Sequence, residues 1–120
     1  MANPSTGFSG AGTEVLRRAY VHAMTNSEAT LLTGVANHIY TVLSVIFAEQ
    51  AAASESINMY IDADLVGTNI YLMNSQTLGG EQTFVWSDRF VITETDKLHA
   101  TSANAANIDV WVSYIDQQLA

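Results

Sequence analysis

The side chains able to do chemistry are few and scattered. Three histidines, His22, His38 and His99, stand far apart, with neither a His-X-His pair nor a His-Glu-X-X-His helix to gather them onto a metal. They read as ordinary edge or surface residues. Asp62-Ala63-Asp64-Leu65-Val66-Gly67 begins as a calcium loop begins, but Val66 stands where an oxygen ligand belongs and Met73 where the closing glutamate belongs. That stretch reads as an acidic turn between strands. The sequence has no cysteine, which removes disulfides, thiolate zinc sites and cysteine nucleophiles together. Gly7-Phe8-Ser9-Gly10-Ala11-Gly12 follows no strand and precedes no Gly-Lys-Ser/Thr, so it is neither a nucleophile elbow nor a phosphate loop. Glu94 and Asp96 flank a turn and read as solvated. No catalytic residue, metal ligand or cofactor is expected, and the chain reads as a non-enzyme.

What remains is binding chemistry. Twelve acids against four bases give a net charge of −8, which repels phosphate backbones and anionic lipid and argues against nucleic-acid and membrane partners. Of the bases, Arg17 and Arg18 are adjacent and on a strand face opposite ways, while Arg89 and Lys97 lie at turns; they read as ion-pair formers or contacts to another acidic protein. Trp86, Tyr60 and Tyr71, with Phe84 and Trp111, could form a stacking platform for sugars, or could fill a core or a subunit contact.

The elements that must position these residues are short strands. In 120 residues one domain is expected, and the 48% hydrophobic content suffices for one core. The first stretch, 1–13, holds three glycines and the single proline and reads as a flexible arm; 14–120 reads as one β-sandwich domain. Neither a basic start with an apolar stretch nor a spanning run of about 20 apolar residues is present, so no secretory leader or membrane helix is expected. Apolar and β-branched runs at 15–24, 30–32, 39–48, 56–61, 69–73, 82–87, 90–93, 98–101 and 108–115 alternate with turn formers such as Gly34, Gly67 and Gly79-Gly80. Ile57, Met59 and Ile61 point one way and Asn58, Tyr60 and Asp62 the other, the period of a strand. The run 14–24 also fits helical spacing, with strand preferred; 49–53 reads as a loop or one helical turn. The expected class is all-β, an antiparallel jelly roll or related β-sandwich.

Two strands are apolar on both faces. In 39–48, strict alternation sets Ile39, Leu43, Val45 and Phe47 on one face and Tyr40, Val42 and Ile46 on the other; in 108–115 the second face still carries Trp111 and Ile115. A sandwich strand that shows one face to water should alternate cleanly. A second subunit is the natural cover, so a homo-oligomer is expected, with Tyr40, Val42, Ile46, Trp111, Arg17 and Arg18 at a subunit or capsid contact.

The blocks Ala29-Thr30-Leu31-Leu32-Thr33-Gly34-Val35, His38-Ile39-Tyr40-Thr41-Val42-Leu43-Ser44-Val45, Thr95-Asp96-Lys97-Leu98-His99-Ala100 and Asn107-Ile108-Asp109-Val110-Trp111-Val112-Ser113-Tyr114-Ile115, with Gly79-Gly80 leading into Phe84-Val85-Trp86 between them, resemble the texture of tailed-bacteriophage virion proteins. The resemblance spans about three-quarters of the chain; 1–27 carry none of it. It implies a jelly-roll capsid decoration (cement) protein made in the bacterial host cytoplasm. That protein would sit on the capsid exterior as a homotrimer, bridge major capsid protein subunits, and send the arm onto neighbours. A neck or tail accessory protein and a carbohydrate-binding adhesin are the alternatives.

Overall fold

The computed structural model describes residues 13–65 and 67–119. Among the described residues nine strands follow one another: β1 (Thr13–Met24), β2 (Ala29–Thr33), β3 (His38–Glu49), β4 (Glu55–Asp62), β5 (Asn69–Leu78), β6 (Thr83–Trp86), β7 (Phe90–Thr93), β8 (Lys97–Ser102) and β9 (Ile108–Gln118), with a 3-10 turn at Ala63–Leu65. The ambiguous run 14–24 is a strand, and its long pairing with β9 decides the matter, since tertiary hydrogen bonds override a borderline period. The stretch 51–53 is a bend. The expected arm, apart from Thr13, lies outside the described residues; Thr13 opens β1 opposite Gln118.

The strands form two antiparallel sheets. The first runs β1-β9-β3, and β6 and β7 lie end to end along the far edge of β3, beside Val45–Ala48 and Ile39–Val42 respectively. The second runs β2-β8-β4-β5. With β6 and β7 taken as one broken strand, each sheet is four strands wide. Every connection except β4 to β5 and β6 to β7 crosses from one sheet to the other. This is the order of a jelly roll.

The core lies between the sheets. Val42, Val45 and Phe47 of β3, Ile108, Val110 and Val112 of β9, Ile57 and Met59 of β4 and Leu98 and Ala100 of β8 are buried there. Each large side chain so removed from water contributes about 1.5–3 kcal/mol. β3 does not alternate strictly. Its register against β9 slips between Val42 and Ser44, and Leu43 is the extra residue. The bulge turns Tyr40 and Val42 to the same side as Val45 and Phe47. The outward placement of Tyr40 and Val42 expected from strict alternation is therefore corrected: they are 8% and 0% exposed and belong to the core.

Two local devices tie the loops down. Gly34 donates its N–H to the Asp96 carbonyl at 2.8 Å, and a Cβ at Gly34 would stand 2.2 Å from the Thr93 carbonyl oxygen. The Glu49 carboxylate is buried at the end of β3, where it accepts the backbone N–H groups of Ala51 (2.5 Å), Ala53 (2.9 Å) and Glu81 (3.3 Å). Burial raises the Glu49 pKa, but these donors, with that of Ala52, outweigh it and hold the group below the usual glutamate value. Asp96 is governed the same way: burial raises it, and the N–H groups of Thr93 and Asp64 with the Thr93 hydroxyl bring it below the usual aspartate value.

Gly34→Ala should cost about 2–3 kcal/mol in urea unfolding, because backbone and not a yielding side chain meets the new methyl. Gly67→Ala, at φ 80° but with open space around it, should cost only about 1 kcal/mol. Because both carboxyl pKa values are depressed by folding, their stabilisation is whole above the ordinary values of 4.5 and 3.8 and is lost as pH falls through the folded values. Thermal melts should show a falling midpoint on acidification below about pH 4, and Glu49→Gln should flatten that slope.

Candidate functional site

The outward side chains of the first sheet line up in cross-strand rungs because the antiparallel registers put them side by side. One rung is Tyr20, Trp111, Ile46 and Val85; a second, two residues along and then two more, is Leu16, Ile115, Thr41 and Val91. Between them lies Arg18, Ser113 and Ser44. The two apolar rungs are in water: Leu16 is 67% exposed, Tyr20 60%, Val85 and Val91 50%, and Trp111 43%. Isolated surface apolars need no explanation, but two apolar rungs gathered on one face make it the candidate interaction surface.

This face is preorganised. The Tyr20 and Trp111 rings stack at 5.9 Å with 16° between their planes. The Arg18 guanidinium carbon lies 5.1 Å from the Trp111 ring centre and 5.4 Å from that of Tyr20, a geometry for cation–π attraction that holds the charge against the face. Above the aromatic rung, Asp109 pins a bulge at the end of β1. Its Oδ1 accepts the Ala23 N–H at 3.0 Å and lies 2.9 Å from His22 Nδ1, and Ala23 takes φ 58° there. An open hollow of about 340 Å³ lies between Tyr20, His22, Ile46, Ala48, Asp109 and Trp111.

The outer face of the second sheet is different. Its central rung is Thr30, His99, Tyr60 and Tyr71, whose rings pack on one another at Tyr60. Thr30 Oγ1 is 3.1 Å from His99 Nδ1, and the Tyr60 hydroxyl donates to Glu28. Burial first, and then the Glu28 carboxylate, push the Tyr60 hydroxyl well above the ordinary tyrosine value, so it stays a neutral donor. Neighbouring positions are Thr33, Lys97, Asp62 and Asn69. The outer face of the second sheet is thus the more polar of the two, with His99 and Tyr60 buried and Tyr71 half exposed.

The expected contact residues divide accordingly. Ile46, Trp111 and Arg18 share the outer face of the first sheet. Tyr40 and Val42 are in the core, and Arg17 points to the inner side of β1, where its Nε donates to Asp116 Oδ2 at 2.9 Å. Asp116 also lies 2.6 Å from His38 Nδ1, so Arg17 and His38 together hold a buried carboxylate beside Tyr40 and Tyr114, whose hydroxyl pKa values burial raises. The sugar platform expected of Trp86, Tyr60 and Tyr71 is not assembled. Tyr60 and Tyr71 meet at 5.0 Å on the second sheet, whereas Trp86 is on β6 of the first, packed inward on Phe90 with its Nε1 bonded to the Asp88 carbonyl. Leu16, Tyr20, Val85 and Val91 complete the exposed face and were not singled out by the sequence. The i, i+2 spacing of 16, 18 and 20 carries the signal, but only once 14–24 is known to be a strand. Of the acidic turn, Asp62 accepts the Gly67 N–H at 3.2 Å and Asp64 the Thr95 hydroxyl at 2.8 Å, so their oxygens hold loops.

No protein-family model matches the sequence, and no curated protein matches it. Solved structures do resemble it in fold. A chain of the disulfide-linked pili of Bacillus endospore appendages superposes with a TM-score of 0.58 at 14% identity, over 99% of this chain and 100% of that one. A chain from the acid-stable capsid of Helicobacter pylori bacteriophage KHP30 gives 0.54 at 14% identity, over 87% and 86%. A chain from the cyanophage Pam1 capsid asymmetric unit gives 0.51 at 20% identity, over 98% and 92%. The chain shares its fold with phage capsid chains. At these identities the likeness is one of architecture, and the two sheet faces described above are read from this chain's own residues.

Because the exposed face is not part of the core, Trp111→Ser should change the unfolding free energy of the dilute chain by under about 1 kcal/mol, whereas Phe47→Ala should cost about 3–5 kcal/mol. Urea titration at submicromolar protein checks both.

Proposed function

We propose that the chain is a non-enzymatic structural protein of a bacteriophage particle, acting as a decoration protein on the capsid exterior that bridges major capsid protein subunits. The observation that supports this best is the pairing of a fold shared with phage capsid chains and a sheet whose outer face carries two exposed apolar rungs. A cement protein works by burying surface across joints between shell subunits, and specific contacts need about 1,200–2,000 Å² in total. Several weak contacts held on one assembly multiply the grip. Without cysteine in the sequence, such contacts would not be disulfide-linked through it. The sequence reading expects a trimer; the face described above favours a two-fold pair, for reasons set out below.

A second reading, a subunit of a surface filament, is favoured by the endospore-appendage chain, which is matched over its whole length. It calls for a head-to-tail contact that does not close, and so for assemblies that lengthen with concentration.

Cryo-electron microscopy and mass spectrometry of purified particles from the producing lysate separate these readings. The expected result is this chain at joints between capsomers, with density for the jelly roll. Its absence from particles, or its presence only in filaments, would overturn the decoration reading.

A further inference from the structure

We infer that the outer face of the first sheet pairs with the same face of a second copy about a two-fold axis parallel to the strands, and that Arg18 meets the second copy's Asp88. This rests on the assembly reading above only for its biological setting. The rungs themselves carry the geometry. A two-fold along the strands keeps rung over rung and reverses the order of strands. Tyr20 then covers the second copy's Val85, Trp111 covers Ile46, Leu16 covers Val91 and Ile115 covers Thr41. Both apolar rungs are buried at once.

The central rung decides between axes. Ser87, Asp88 and Arg89 separate β6 from β7 at the level of Ser44, because Trp86 pairs with Val45 and Phe90 with Val42. This exposed loop therefore stands at the edge opposite Arg18 in the same rung. Reversing the strand order sets Arg18 against it, twice per pair. A two-fold across the strands that matches both apolar rungs must centre on the Arg18 rung, and there it stacks Arg18 on Arg18. Among the described residues, no carboxylate lies within ion-pair distance of Arg18, whose guanidinium rests on the Tyr20 and Trp111 rings and is open to an acidic partner. The Asp88 carbonyl is already fixed by the Trp86 indole at 2.8 Å, which holds the loop in place.

The area is that of a small interface. The face from Glu14 to His22 is about 27 Å long and about 19 Å across four strands. It therefore offers roughly 500 Å² per copy, or about 1,000 Å² in total, at the threshold for a specific interface and short of the roughly 1,200–2,000 Å² of a standard one. The charge distribution adds specificity, since it rejects the wrong axis by like-charge contact.

Sedimentation velocity and light scattering on the purified 120-residue chain test this. The wild type should show twice the monomer mass at micromolar concentration. Arg18→Asp and Asp88→Arg should each weaken association by about 100-fold, with unchanged circular dichroism, as both residues are exposed. Mixing the two variants should restore a dimer of one chain of each, because both cross-contacts then regain opposite charges. Arg89→Ala should not weaken association. A monomeric or trimeric wild type, variants that still pair alone, or a mixture that stays monomeric would each overturn the inference. None of these outcomes bears on whether the chain is found in particles, which the microscopy reads independently.

Discussion

A sheet in a two-layer sandwich has one interior, yet β3 and β9 carry apolar side chains on both faces. They are the two central strands of the same sheet, hydrogen-bonded to each other over eleven positions. Their inner side chains build the core. Their outer ones, Ile46 and Trp111 above all, join Tyr20, Val85, Leu16 and Val91 in a surface that water solvates poorly. The remaining features of the molecule make sense around that constraint. On the second sheet Thr30 bonds His99 and Tyr60 bonds Glu28, the Asp116 and Glu49 carboxylates are held within the chain, and the first sheet carries the more extended apolar outer face.

The jelly-roll order makes this arrangement possible in a short chain. Crossing between sheets at nearly every connection places sequence-distant β1, β3, β6, β7 and β9 in one sheet, so rungs form from residues as far apart as Tyr20 and Trp111. The bulge at Leu43 is the one break in register on β3, and it keeps Tyr40 and Val42 in the core while Ile46 remains outside. Arg18 gives the apolar face a polarity. Held over two rings, it is a charge that distinguishes one way of docking from another, a role better attested for polar groups in apolar contacts than any gain in stability.

Much of this was legible in the sequence. The β class, the strand positions and the apolar second face of 108–115 follow from period and turn residues, since each depends on local spacing; of the second face expected for 39–48 only Ile46 remains outside. What stayed hidden depended on long-range geometry. A bulge adds one residue without a local signature, so strict alternation put Tyr40 and Val42 on the wrong face. The outward set on β1 was masked because 15, 16, 19, 20, 23 and 24 also fit a helix. Trp86 was grouped with Tyr60 and Tyr71 by residue type, and only the topology puts it on the other sheet. The level at which β6 stops and β7 starts, and with it the place of Asp88, is set by pairing with β3 and has no local signature.

The central claim is that the outer face of the first sheet lies against another protein when the chain is at work. Hydroxyl-radical footprinting across a dilution series reads this residue by residue. Leu16, Tyr20 and Trp111 should be protected at high concentration and become reactive together on dilution, while Tyr71 on the second sheet stays reactive throughout. Equal modification of Tyr20 and Trp111 at every concentration, and again in any particle that contains the chain, would contradict the account.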